Sequence, residues 1–362
     1  MVELSRRAFA VLPLIAALAG RAKAAPSATG DAVRAALSGK ATGAALVAKG
    51  GRILWRGAVA DEAGAIATPA PDAVFDVLSI GKTFTAITAL RLAETGALDL
   101  DKPIRHYLPE LGQPLADIKI RHALNNDTGL PDYLEGGDLD PRTNIQAFAE
   151  IATMVPSRKG GSGFHYSNVN FQLLALLIER VSGQSFQAVV RRLIFEPARL
   201  RNTNFFGMGG FGTAAVANGY IDGKAIGFPS RWPNTWSLLG AAGIGSTVDD
   251  LYRLNRYFLA GPGLQPVTRA RLLLSGAPTY GRGPYVGPDN IDISYGAGLF
   301  HWLDRKGRHV AFHGGDGDFG YNAVMFWRQE DDVFVAVLMN SRNSATPLDR
   351  GAMMGTILAA VG

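Results

Sequence analysis

Ser79 and Lys82 stand three residues apart in FDVLSIGKTFTAITALRLAETG, residues 75–96, where a strand-like run gives way to a helical one. On a helix that spacing puts both side chains on one face, a turn apart. A serine hydroxyl becomes a nucleophile when a base lies within hydrogen-bond reach, and a desolvated lysine amine can serve. The Ser79 N–H, at the helix start, has no intrahelical acceptor and is available to a developing oxyanion. Ser-x-x-Lys alone is a weak signal, because a helical lysine is more often a solvated charge. Its neighbours Ile80, Phe84, Ile87 and Leu90 make this a helix that needs burial, and a lysine there is not idle.

Two further groups carry residue types that complement this pair. Tyr166-Ser167-Asn168 is the only Tyr-x-Asn among ten tyrosines and sits in the Gly-rich GGSGFHYSNVNFQLL. A phenol beside a lysine can relay a proton, and an asparagine amide can hold a substrate carbonyl. Equally, the Asn can be the N-cap of the apolar helix that follows. In RHVAFHGGDGDFGYNAV, period two places His313 and Gly315 on one strand face. Gly315 would leave room for a substrate backbone, and the Asp316 N–H would be a second oxyanion donor. A histidine on a strand is more often structural than functional.

The elements that must position these groups follow from pattern. ALVAKGGRILWRGAVA reads as a hairpin around Lys49-Gly50-Gly51, and PDAVFDVL as another strand. From Ser79 the period changes to helical and stops at Gly96. Residues 100–240 read as helices broken by loops, FQLLALLIERVSG being the clearest, and a capping-box-like Ser246-Thr-Val-Asp249 opens DLYRLNRYFLA. YGAGLFHWLD, RHVAFHGG, NAVMFWRQ and VFVAVLMN make a strand meander, and PLDRGAMMGTILAAV closes as a helix. The expected class is α+β: one antiparallel sheet built from both chain ends, flanked by helices, with an inserted all-α part. The α/β part covers about 32–99 and 241–360, and the helical part about 100–240.

A chain of 362 residues, 47% hydrophobic and 19% charged, can bury a large core. Residues 1–24 have a basic start, an apolar run too short to span a bilayer and an Ala22-Lys23-Ala24 site, the layout of an export signal peptide. Ser5-Arg6-Arg7-Ala8-Phe9 resembles a twin-arginine signal, so the expected location is periplasmic or secreted. Four of the 36 basic and one of the 31 acidic residues lie in that leader, which leaves an excess of two. No basic–aromatic run follows, so nucleic acid is not an expected partner, nor is a stable membrane span once the leader is cleaved. The absence of cysteine excludes thiol nucleophiles, disulfides and thiolate metal sites. Two matches to G-x-G-x-x-G, at Gly207 and Gly315, lack the strand-then-helix context a nucleotide needs, and neither a cofactor nor a metal is expected. Phe205, Phe206, Phe211, Tyr220, Phe228, Trp232 and Trp236 read either as packing or as the lining of an acyl pocket.

Together the three groups, in this order, resemble the serine β-lactamase and penicillin-binding-protein superfamily. The likeness is to the branch holding class C β-lactamases, D-alanyl-D-alanine carboxypeptidases and family VIII-type esterases. IKIRHALNNDTGLPDY, HYSNVNFQLLALLIERVSGQSF, IFEPARLRNTNF and AAGIGSTVDDLYRL extend it over about residues 32–360. The resemblance implies Ser79 as the acylated nucleophile, with Lys82 and Tyr166 sharing proton transfer. It implies Asn168 and His313 as substrate contacts, His313 also touching Tyr166. The Ser79 and Asp316 N–H groups would form the oxyanion hole. His313-Gly314-Gly315 stands where many β-lactamases carry Lys-Thr-Gly, which favours an ester or D-amino-acid peptide over a β-lactam substrate. A true β-lactamase, or a cell-wall-binding module that acylates without turnover, are the alternatives. The Asn125–Gly129 loop departs from the branch's usual His and Ser and is expected at the rim of the site.

Overall fold

Both ends of the chain supply one sheet. Near the start, β1 (Gly43–Lys49) and β2 (Arg52–Val59) join across Gly50 and Gly51, both at positive φ, which glycine adopts without steric cost. After the long middle come β3 (Ala277–Pro278), β4 (Ser294–Gly296), β5 (Leu299–Leu303), β6 (His309–Asp316), β7 (Asn322–Arg328) and β8 (Val333–Met339). The spatial order is β2-β1-β8-β7-β6-β5-β4-β3, with every neighbouring pair antiparallel. β1 therefore lies beside β8, with Gly43 opposite Met339. All seven residues of VFVAVLM in β8 are buried, as a strand covered on both faces requires. This computed structural model describes residues 28–38, 41–60, 66–228, 232–274, 276–278, 293–304, 306–317, 319–343 and 348–362, so the expected export segment lies outside the described residues.

Four helices matter most for the site: α1 (Ala28–Leu37), α2 (Gly81–Glu94), α3 (Asn168–Ser182) and α4 (Arg350–Val361). α1 packs on α4 and β2. α2 is buried on all sides over most of its length, Lys82 included, so it is a core helix rather than a surface one. The class is α+β with the sheet drawn from both termini, as the pattern indicates.

Two local readings change. YGAGLFHWLD is not one strand: Ala297 (φ 48°) and Gly298 (φ 76°) turn it into β4 and β5. The turn sits on α2, where Thr83 Oγ1 donates to Gly298 O at 2.9 Å and a Cβ on Gly298 would come within 2.7 Å of Lys82 O. The cap of helix Val248–Leu254 is Thr247, which accepts from Asp250 N at 3.1 Å. Ser246 is instead a strand residue opposite Phe75, its Oγ 2.7 Å from Thr203 Oγ1.

Candidate active site

Ser79 lies in a short 3-10 turn, Leu78–Ile80, that runs directly into α2. Leu78 is held at φ 51°, a left-handed conformation that costs a branched side chain energy and needs outside support. Asp76 supplies part of it, since its Oδ1 accepts the Leu78 N–H at 2.7 Å. β6 supplies more. A Cβ on Gly315 would run into Leu78 Cβ and lie 3.0 Å from Ser79 N. Gly315 was expected to make room for substrate; its missing side chain is filled by the serine-bearing turn.

Lys82 is fully buried, and its Nζ finds three oxygens: Ser79 Oγ at 3.1 Å, Asn168 Oδ1 at 2.6 Å and Ala241 O at 3.1 Å. Three acceptors match the three donors of an ammonium, yet no carboxylate pairs with it among the described residues. Burial therefore dominates and pulls the amine down to about 7, against the opposing charge of Asp138. Near neutrality a large share of Lys82 is the free base that a serine hydroxyl needs.

Asn168 is the first residue of α3, not its cap. Ser167 caps the helix, accepting from Asn170 N at 3.4 Å and donating to Pro131 O at 2.5 Å. The Asn168 N–H goes to Asp132 O at 2.9 Å, which leaves the side-chain amide for Lys82. Tyr166 precedes it, with its ring centroid 5.0 Å from Lys82 Nζ and stacked 6.4 Å from Phe300. The Asn125–Gly129 loop, expected at the rim, is an internal brace. Buried Asn126 takes the His165 N–H on its backbone O at 2.6 Å and the Asn170 amide on its Oδ1 at 2.8 Å.

His313 stands on β6 and is not part of the cavity wall. It is fully buried, and its Nδ1–H donates to Gly314 O at 2.7 Å, so its Nε2 accepts from Tyr295 OH at 3.2 Å. Its ring centroid is 6.5 Å from that of Tyr166, and its side-chain hydrogen bond goes to Tyr295. Burial first, then the charge of Lys82, lowers it to about 3, so it is neutral and puts no positive charge at the site. Asp316 is exposed and turns its carboxylate to Arg350 at 3.2 Å.

These groups open on a cavity of about 310 Å³ whose wall includes Ser79, Tyr166, Asn168, Ala241 and Phe319. Of the loop aromatics, Phe205, Phe206, Phe211 and Trp236 are buried as packing. Trp232 backs the cavity at one remove, 4.8 Å from Phe319. The sequence reading missed Asp76, Leu78 and Asp138. The Asp-x-Leu step before Ser79 was the available sign, since aspartates bond to N–H groups two residues on. Among the described residues no group of three His, Asp or Glu side chains is placed to hold a metal ion.

Comparison with known proteins agrees with this frame. The family model described as beta-lactamase matches residues 30–355. Esterase EstB of Burkholderia gladioli is 30% identical over 62% of this chain and 67% of its own. A D-aminopeptidase of Gluconobacter oxydans is 26% identical over 76% of this chain and 51% of its own. The chain thus matches about half to two thirds of these relatives, and only 31% of a penicillin-binding protein 4* of Bacillus subtilis. In structure, the D-amino acid amidase of Ochrobactrum anthropi SV3 superposes with a TM-score of 0.77 at 20% identity, covering 92% of this chain and 98% of that one.

Proposed function

Because the chain belongs to the β-lactamase family of serine hydrolases, we propose that it cleaves small esters or D-amino-acid amides and peptides through an acyl-enzyme on Ser79, in preference to β-lactams. The observation that carries this is the buried, weakly basic Lys82 at 3.1 Å from Ser79 Oγ. Neutral Lys82 takes the hydroxyl proton as Oγ attacks the substrate carbonyl carbon. The oxyanion forms between the Ser79 and Asp316 N–H groups. Lys82, with Tyr166 beside it, returns the proton to the leaving alkoxide or amine, and water then releases the acid from Ser79. Lys82 and Tyr166 act as one proton-handling pair.

The cavity wall favours this over antibiotic hydrolysis. β-Lactams and D-alanyl-D-alanine ends carry a carboxylate, which a protein recognises with Arg or Lys. Among the described residues no Lys, Arg or His lines this cavity, and His313, in the place of the usual lysine, is buried and neutral. Purified protein with a short-chain p-nitrophenyl ester, D- and L-alanine p-nitroanilides and a chromogenic cephalosporin tests the reading beside Ser79→Ala. Ester or anilide turnover lost in Ser79→Ala is expected; turnover that survives it refutes the mechanism, and cephalosporin as the best substrate refutes the preference. We also propose that residues 1–24 direct export by the twin-arginine route, which Arg6→Lys with Arg7→Lys would block in cell fractionation.

A further inference from the structure

Two histidines away from the serine cavity leave ring nitrogens buried and unpaired. His301 on β5 and His309 on β6 sit diagonally across the strand pair, since His301 faces Ala311 and Leu303 faces His309. Period two puts both on one face of the sheet. Their rings lie 16° from parallel, with centroids 5.3 Å apart. His301 is 5% exposed, and its Nε2 lies 3.2 Å from Gly296 O. A carbonyl only accepts, so Nε2 carries the proton and Nδ1 is a bare lone pair. Among the described residues nothing lies within hydrogen-bond distance of that Nδ1, or of either ring nitrogen of His309, and all three atoms are buried. Polar atoms left in that state are costly unless a ligand meets them.

We infer that His301 Nδ1 and one ring nitrogen of His309 form a binding site for a late first-row divalent transition ion such as Zn²⁺, with water completing its shell. The lone pair of a neutral imidazole is what such an ion takes, whereas Mg²⁺ and Ca²⁺ prefer oxygen. Both rings are in that form. Burial holds His301 down at about 4 and His309 below its ordinary value, so both are free bases near pH 7. Nitrogens about 2.0–2.1 Å from one zinc are at most about 4 Å from each other, a span that this pair of rings allows. A metal-bound imidazole hands its other N–H to a neighbour. Gly296 O holds that of His301, and the Gln329 side chain lies beside His309 to do the same. Glu330, whose Oε1 accepts the His309 backbone N–H at 2.8 Å, adds negative charge that favours a cation. His309 is half-buried and gives the ion its way in. The site stands apart from the serine chemistry, since neither histidine belongs to the cavity wall.

The test uses the full chain freed of metal. Calorimetric titration with ZnCl₂ at pH 7 is expected to show one ion bound per chain, and MgCl₂ none. Saturating zinc should also raise Tm, because it binds the folded chain. His301→Ala and His309→Ala should each weaken zinc binding at least about ten-fold. His106→Ala, at an exposed histidine elsewhere, should leave it unchanged. Zinc that does not bind, or that binds both variants as well as the unmodified protein, overturns the site. Crystals of the unmodified protein soaked in ZnCl₂ give an answer even where a variant does not fold. An anomalous peak between the two rings supports the site, and the lack of one there overturns it.

Discussion

Two stretches were expected to face the substrate, the Ser79–Lys82 turn of helix and the His313–Gly315 segment of strand, and they behave differently. Where the 3-10 turn runs into α2, the three-residue spacing delivers Lys82 Nζ to Ser79 Oγ, and α3 adds Asn168 from 86 residues away. On β6 the histidine turns into an aromatic cluster with Tyr295 and Phe300, and Gly315 serves the neighbouring turn. A helix fixes which side chains meet within itself. A strand fixes only which face a side chain takes, and what covers that face decides its role.

The contrast can be broken by experiment. Ser79→Ala should lower kcat/KM for a p-nitrophenyl ester by at least about 10⁴-fold, since removing a nucleophile also idles its base. Gly315→Ala should come next. The added methyl must displace Leu78, which costs about 1–3 kcal/mol of stability in the manner of overpacking. It should appear as a lower Tm and a fall in kcat, whereas a rise in KM alone would restore the substrate role first expected for Gly315.

Asn168→Ala should cost about ten-fold or more in kcat/KM and also move the pH profile. In the parent protein Lys82 must lose its proton to act, so kcat/KM rises with pH through about 7. Asn168 Oδ1 supports the charged amine; without it the amine is still less basic, and the rise should shift to lower pH. An unmoved profile would separate Asn168 from Lys82. The smallest effect belongs to the strand: His313→Gln should change kcat/KM by less than about ten-fold, because the ring carries no proton in the reaction. Its removal should leave the profile between about pH 5 and 8 unaltered, the imidazole being neutral throughout.

Legibility in the sequence follows the same divide. The sheet, α2 and α3 came from strong periodicity, the Ser79–Lys82 pair from its spacing, and Asn168 joined them only through the resemblance of the three groups to a known family. What escaped was set by long-range packing. The split of YGAGLFHWLD depends on a close approach to Lys82 O, and the left-handed Leu78 is an ordinary leucine until Asp76 and Gly315 surround it. The burial of the Asn126 loop depends on Asn170, 44 residues on. Asp138 belongs to a loop whose charge reaches Asp76 and Lys82 only once the chain has folded the two segments onto one cavity.

The pairing of β1 with β8 bears on how the protein is made. On the inner side of the hairpin, β1 has no neighbour until residues 333–339 exist, and Thr42 N then meets Ser341 Oγ at 2.8 Å, 299 residues along. Contacts of such sequence separation are slow to close, because the loop entropy is lost before the pairing gives anything back. β6, which clamps the serine turn through Gly315, is also among the last strands synthesised. A nascent chain released short of β8 carries every residue drawn from α2 and α3 and still lacks the partner that seats the sheet. The protein should therefore acquire activity in a single late step, when its C-terminal strands close over a serine turn made some 230 residues earlier.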